Sequence, residues 1–469
     1  MPAFRFATLA LLLATTLHAQ TDDPQQLQRR VDELQSEVQN LKSQIAEIKQ
    51  LLASPKAATS ATAESSVAAA ANATAAPAQP VTQTLTAGDR GNLDFLRDTT
   101  INVMLDSYYA YNFNHPYNRV NLLRPYDVLS NNISLNQADL VVEHAPDVAA
   151  GRRWGARVDL QFGQATDTLQ GNPANEARPQ IYRNIFQAYG TYVAPIGSGL
   201  TIDVGKWASS LGIEGNYTKD QINYSRSFYF NFLPFYHEGV RANYKFNDKV
   251  AVNYWIVNGT NQTEATNAFK DELFGFVLTP KKSVNWTINY YLGQDNPDRT
   301  LTSNCGSYLL QPGLCSTPIR PAPDGRTHIF DSYVSWQATP KLSFAAEGDY
   351  FISRVWQSPT DGNSSAPSHV DGGAVYARYQ LTKKVALGAR GEYLSDSDGL
   401  FSGVRQDLKE TTLTYDYQLA DGFLMRYEWR RDFSNRPYFY SDTVNVFKKD
   451  QNTATVGLIW WFGRKEGSW

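Results

Sequence analysis

The chain has little sulfur and no long apolar run. Its 469 residues include two cysteines and three methionines, which excludes a scaffold built from disulfides. No His/Cys cluster stands near the thiols to suggest zinc, and the motifs call for no cofactor. Beyond the N-terminus, no apolar run reaches the roughly 18 residues that a spanning helix needs. Neither sign of charge dominates: the formal net charge is -3 and the pI about 6.1, so a nucleic-acid partner is not expected. The histidines are His18, His115, His144, His237, His328 and His369. None has a serine or aspartate constellation that would make a nucleophile with its base, so no catalytic residue is assigned and the chain is not expected to be an enzyme.

Aromatic residues are plentiful instead: Tyr 27, Phe 23 and Trp 10, or 13% of the chain. Tyr and Trp collect where one end of a side chain is dry and the other wet, as at a membrane surface.

Residues 1–19 read as a secretory signal. Arg5 supplies the charge, Phe6 to Leu17 is apolar apart from Thr, and cleavage is expected after Ala19. A short anchor helix is the alternative. Residues 20–52 carry Leu27, Val31, Leu34, Val38, Leu41, Ile45, Ile48 and Leu52 at alternating steps of four and three, the heptad seam of a coiled coil. Glu37 and Lys42 fall where a parallel partner would pair them. A lone amphipathic helix is the alternative. As a stalk this helix would span roughly 40 Å at about 1.5 Å per residue. Homo-oligomerisation follows from the seam. Val/Leu layers favour dimers and the Ile45/Ile48 pair favours trimers; a trimer is the more economical expectation than a cell-wall spacer. Residues 53–91 are rich in Ala, Thr, Ser and Pro, with too few large apolar groups for a core, and read as a linker.

From residue 92 to 469 the pattern changes to strict alternation, the strand period. Trp154, Ala156, Val158, Leu160 and Phe162 face one way; Arg153, Gly155, Arg157, Asp159 and Gln161 face the other. The pattern predicts strands near 100–113, 132–144, 153–163, 184–193, 200–207, 239–246, 250–257, 271–279, 284–294, 327–338, 342–353, 372–381, 385–393, 409–419, 423–433 and 452–462. In the second, the apolar phase slips between Leu135 and Ala138, which predicts a bulge. Connections after even strands are mostly short, such as Asn247-Asp248-Lys249 and Thr382-Lys383-Lys384, and those after odd strands are long. Short periplasmic turns and long external loops mark bacterial outer-membrane barrels. An even strand count puts both ends of the barrel, and hence the stalk, in the periplasm.

The fold class is therefore an all-β transmembrane protein: an antiparallel up-and-down barrel of about sixteen strands behind an N-terminal coiled-coil helix. Its outer face meets outer-membrane lipid. Its inner face would carry Asp106, Arg157, Asp159, Asp203, Lys206, Arg241, Lys245, Glu347, Asp349, Arg378, Arg390, Glu392, Asp416, Arg426, Glu428 and Arg430 as candidate pore-lining residues. So many charges would be untenable in a dry core, and a barrel this wide leaves an aqueous channel. For any single member an ordinary wall salt bridge is the alternative. The long segment Ala208 to Glu238 holds Glu214, Lys219, Asp220 and Arg226, then Phe228, Tyr229, Phe230, Phe232, Phe235 and Tyr236. A loop so aromatic is expected to fold inward and constrict the pore, charges to the lumen and rings on the wall. A cap over the rim or a subunit contact is the alternative. Cys305 and Cys315 are expected to form a local loop disulfide, with two free thiols as the alternative.

Several segments carry a resemblance. DSYYAYNFNHP from Asp106, GARVDLQFG from Gly155, GKWASSLGIEG from Gly205, SFYFNFLPFYHEGVRANY from Ser227 and VGLIWWFG from Val456 resemble the beta-barrel porin-2 (OmpL-like) family. The tail closing in Gly467-Ser468-Trp469 is similar too. The likeness runs from about Leu93 onward. It implies an outer-membrane barrel of porin type and supplies no catalytic residue. The function expected is passive diffusion of ions and small hydrophilic solutes. A substrate-specific channel, for instance for carbohydrate, stands second, and a non-conducting enzyme or envelope anchor third.

Overall fold

The computed structural model describes residues 96–170, 176, 178–303, 314–465 and 467–469, without the side chains of 168–170 and 303. The segments read as signal, stalk and linker (1–19, 20–52 and 53–91) lie outside the described residues. Sixteen strands form one closed barrel. They are β1 (Thr99–Asn112), β2 (Asn132–His144), β3 (Trp154–Phe162), β4 (Ile185–Ala194), β5 (Leu200–Ala208), β6 (Tyr236–Asn247), β7 (Val250–Val257), β8 (Asp271–Lys281), β9 (Val284–Gly293), β10 (Thr327–Thr339), β11 (Leu342–Trp356), β12 (Ser365–Gln380), β13 (Val385–Asp396), β14 (Gln406–Ala420), β15 (Phe423–Ser434) and β16 (Asp450–Gly463).

Each strand pairs antiparallel with its sequence neighbours, and β16 returns to β1 from Asn102↔Gly463 to Asn112↔Thr453. Closure leaves no strand edge unpaired, the condition for a sheet in lipid. In β1 the even positions Asn102, Met104 and Asp106 are fully buried while Ile101, Leu105 and Tyr109 are exposed. The apolar face thus points outward and the polar face inward, the reverse of a soluble sheet. Outward rings sit at two levels. Phe330 of β10 packs on Tyr290 of β9 at 4.8 Å and on Tyr350 of β11 at 6.5 Å; six residues further along β10, Trp336 meets Phe344 at 5.8 Å. That spacing fits the two aromatic girdles of a membrane barrel.

The slip in the second strand is a bulge. Asp106 pairs with Gln137 and Ser107 with Leu135, which leaves Asn136 as the extra residue. Asn136 uses its position to donate from Nδ2 to Asp106 Oδ2 at 2.7 Å. The largest boundary difference is β12, which starts at Ser365 rather than near 372. Its first residues, Ser-Ala-Pro-Ser-His, lack alternation because no lipid contact above the girdle requires an apolar face. Cys315 is disulfide-bonded in the short strand Leu314–Pro318 of a connecting hairpin. Cys305 lies outside the described residues.

Candidate functional site in the barrel lumen

The connection between β5 and β6, residues 209–235, runs through the lumen and is held from the far wall. Inward charges of β10 to β15 grip it by its peptide groups. Gly212 N–H donates to Asp331 Oδ1 at 3.1 Å and Ile213 N–H to Glu347 Oε1 at 3.1 Å. Tyr224 and Ser225 N–H donate to Glu428, at 2.5 and 2.9 Å, and Phe228 and Tyr229 N–H to Glu392, at 2.9 and 3.0 Å. The arginines grip the carbonyls. Arg426 donates to those of Thr218, Gln221 and Asn223 (2.7–3.1 Å), Arg390 to Ser225 O at 2.8 Å and Arg430 to Arg226 O at 2.5 Å. Bonds to ionised partners are about twice as strong as neutral ones. At two points the wall has no side chain, so the loop can touch its backbone. A Cβ on Gly457 would lie 2.5 Å from the Tyr224 ring, and one on Gly388 2.8 Å from Ile222 O.

The same arginines are neutralised on the wall. Arg390 Nε donates to Glu410 at 2.9 Å, Arg426 Nε to Asp416 at 2.7 Å and Arg430 Nε to Asp432 at 2.7 Å, with Arg124 also on Asp432 at 2.8 Å. Arg378, half-buried, shares Asp416 at 2.8 Å. On the other side, Arg157 makes a two-pronged pair with Asp159, both at 2.9 Å, and Arg241 donates to Asp203 at 2.7 Å. Arg241 also lies over the Trp207 and Trp255 rings, 5.0 and 5.9 Å from their centres. Asp106 accepts from the Tyr224 hydroxyl at 3.0 Å. Lys206 Nζ has no hydrogen-bond partner and sits 3.8 Å from the centre of the Tyr236 ring.

Several predicted residues differ from the reading of charges exposed to an aqueous pore. Lys245 stands two residues before the end of β6, at the short-turn rim, its side chain 61% exposed and paired with Asp248 of the adjoining turn rather than set in the lumen. Arg226 is fully buried and donates to the carbonyls of Gly215, Asn216 and Tyr224, because the loop's own tight turns leave those groups unpaired. Glu214 pairs with Arg390 at 2.6 Å. Tyr236, read as loop, begins β6. Phe232 packs on Phe351 at 4.6 Å and on Phe401 at 5.4 Å, which seats part of the aromatic cluster on the wall and on an outer connection.

Lys219 and Asp220 pair with each other at 2.7 Å, and the segment after β16 docks on both. Lys219 Nζ donates to Gly467 O at 2.8 Å, Trp469 N–H to Asp220 at 3.2 Å, and the Trp469 ring meets Tyr217 edge-on at 5.7 Å. Burial lowers the Lys219 ammonium from its ordinary range, against the pull of Asp220, and lowers the buried Arg226 likewise.

Among the described residues, two cavities lie toward the ends of the lumen. One of about 560 Å³ lies at the long-loop end, lined by Arg124, Phe232, Phe235, Asp295, Phe351 and Phe401 among others. One of about 440 Å³ lies at the short-turn end, lined by Lys219, Asp220, Arg378, Lys383, Asp416 and Arg426 among others. They share no lining residue; the loop lies between them.

The sequence reading omitted Asp331, Glu410 and Asp432, although each lies on the inward parity of its strand. Among the described residues, Asp331, Glu347 and Asp349 offer carboxylate oxygens within 4.8 Å of one another, close enough for a metal ion.

A closed sixteen-stranded sheet with a lipid-facing apolar exterior and a charged interior crossed by its own loop is an outer-membrane barrel of the porin class. The chain belongs to the family described as "Putative beta-barrel porin-2, OmpL-like", whose model matches residues 98–462. The family is one of channels rather than of enzymes. No curated protein sequence matches the chain. Among solved structures, it is similar to the outer membrane channel DcaP of Acinetobacter baumannii, at 10% identity and a TM-score of 0.49 over 78% of this chain and 97% of that one. It is similar to an anion-selective porin from Comamonas acidovorans, at 7% identity and 0.49 over 78% and 99%. It is also similar to the trimer form of OmpT of Vibrio cholerae, at 12% and 0.47 over 78% and 99%.

Proposed function

We propose that the protein is a narrow porin through which ions and small hydrophilic solutes diffuse across the outer membrane, with residues 209–235 as its constriction. The observation that carries this is the pair of cavities at the two ends of the lumen, the short-turn one lined by charges and the other largely by apolar and aromatic groups, both bordered by the loop. A sixteen-stranded wall is wide enough for water, and the loop reduces that width. Of the inward charges, Arg378, Asp416, Arg426, Lys219 and Asp220 line the short-turn cavity and set the field an ion meets there. Glu347, Arg390, Glu392, Glu428 and Arg430 hold the loop, and so does Arg426 itself. A carbohydrate-specific channel is the second reading, favoured by the Phe232, Phe235, Phe351 and Phe401 rings around the outer cavity. In both readings the heptad segment at 20–52 associates three chains and stands in the periplasm.

Single-channel recording of the full chain in a planar bilayer tests this. Small, stable, ohmic steps are expected, with a reversal potential under a salt gradient that reports the ion preference. Three equal steps closing in sequence support the trimer. A neutral disaccharide that interrupts the current at low concentration selects the second reading. No conductance from a correctly folded barrel overturns both.

A further inference from the structure

Asp331 of β10 and Asp349 of β11 are directly paired across the two strands, and Glu347 is the next inward residue of β11. Like charges directly opposite each other destabilise a sheet. On neighbouring strands Glu410, Asp416 and Asp432 each have a guanidinium, whereas Glu392 and Glu428 are held by loop N–H groups. Among the described residues, no Lys, Arg or His nitrogen lies within 4.0 Å of an oxygen of Asp331, Glu347 or Asp349. The groups that do bond them are neutral. Asn289 Nδ2 and Gly212 N–H hold Asp331, at 2.7 and 3.1 Å; Ile213 N–H and the Tyr376 hydroxyl hold Glu347, at 3.1 and 3.3 Å.

Asp349 is the independent sign that a ligand belongs here. It is 6% exposed, and among the described residues neither of its buried carboxylate oxygens has a hydrogen-bond partner. Its carboxylate points toward the other two, with oxygens of all three within 4.8 Å. Its partner position on β12 is Gly372, which adds no side chain to fill the space or neutralise the charge. A buried carboxylate with neither a hydrogen bond nor a counter-charge is expensive.

We propose that Asp331, Glu347 and Asp349 bind one Ca²⁺ ion in the lumen wall. The donor set is oxygen only, which suits a hard cation and offers nothing to zinc or copper. The site supplies up to six carboxylate oxygens, within the six to eight that Ca²⁺ takes. The neutral donors around Asp331 and Glu347 orient the ligands without competing for charge, as outer partners of metal sites do. Two of those donors, Gly212 and Ile213, open the constriction loop, so the ion also fastens the loop to the wall.

The site is tested by binding, independently of whether the barrel conducts. The full chain, folded in detergent and stripped with chelator, is titrated with Tb³⁺ while tyrosine is excited; Tyr376 touches Glu347 and serves as the antenna. One saturable Tb³⁺ site per chain is expected, displaced by Ca²⁺ and not by K⁺. D349N is expected to weaken it at least tenfold, and so is E347Q, which guards against a variant that fails to fold. D248N, at an exposed turn, is expected to leave it unchanged. Folding of each variant is checked by heat-modifiable gel mobility. Absence of a saturable site in the unmodified chain overturns the proposal, as the three groups then share protons instead. Equal affinity in folded D349N or E347Q, or equal loss in D248N, overturns it too.

Discussion

Two stretches of one wall hold the same loop in opposite ways. On β13 to β15 the arginine grips belong to a balanced network: Arg390, Arg426 and Arg430 each bind a wall carboxylate and a loop carbonyl together, and Glu392 and Glu428 take loop N–H groups beside them. On β10 and β11 the grip is entirely acidic, and among the described residues no cation pairs with Asp331, Glu347 or Asp349. The balanced stretch can form as soon as the strands and the loop meet. The acidic stretch is self-repelling until something neutralises it. Adjacent parts of one lumen therefore differ in whether their stability is internal or depends on the solution.

The comparison is broken most severely by R426A. Removing one partner of a buried charged network costs about 3–5 kcal/mol, and here it also frees three loop carbonyls. A lower urea midpoint for the detergent-folded barrel and larger, noisier conductance steps are expected. D349N sharpens the comparison from the other side. In chelator it should stabilise the barrel by about 1 kcal/mol by removing a like-charge opposition, and in Ca²⁺ the gain should reverse. Unfolding midpoints measured with and without the ion check both signs. The smallest effect is expected from W469A, which removes the ring packed on Tyr217 and Lys219. A loss of about 1 kcal/mol follows, with a modest conductance increase from the short-turn side; unchanged midpoints and currents would show the contact to be idle.

Much of the architecture was legible because lipid imposes a strict rule. Every strand must alternate, so all sixteen could be placed, and even the extra residue at Asn136 disturbed the phase visibly. The inward turn of the β5–β6 connection was legible from its rings alone. The network across the lumen was not. Alternation reports which face a charge is on, but the reach from Arg426 to Gln221 or from Glu392 to Phe228 depends on the path of a loop with no period. Arg226 was misjudged for the same reason, since its partners are carbonyls of its own loop. Asp331, Glu410 and Asp432 were readable by parity and were passed over. Their importance lies in cross-strand register, which places Asp331 against Asp349 and Glu410 against Asp432.

On the far wall this loop is held largely by peptide groups: six N–H donors, at Gly212, Ile213, Tyr224, Ser225, Phe228 and Tyr229, and carbonyls at Thr218, Gln221, Asn223, Ser225 and Arg226. Side-chain bonds from Glu214, Asn216, Tyr217, Asn223 and Tyr224 to the barrel are added. Peptide groups are common to all residues, and proline alone is barred from the donor positions. At those peptide contacts the seat is largely indifferent to the identity of what sits in it, and only the side chains that bond the wall are fixed. The side chains that the loop shows to passing solutes can be exchanged, by evolution or by design, while its course through the barrel stays the same. Calibre and selectivity become separately adjustable properties of a single frame.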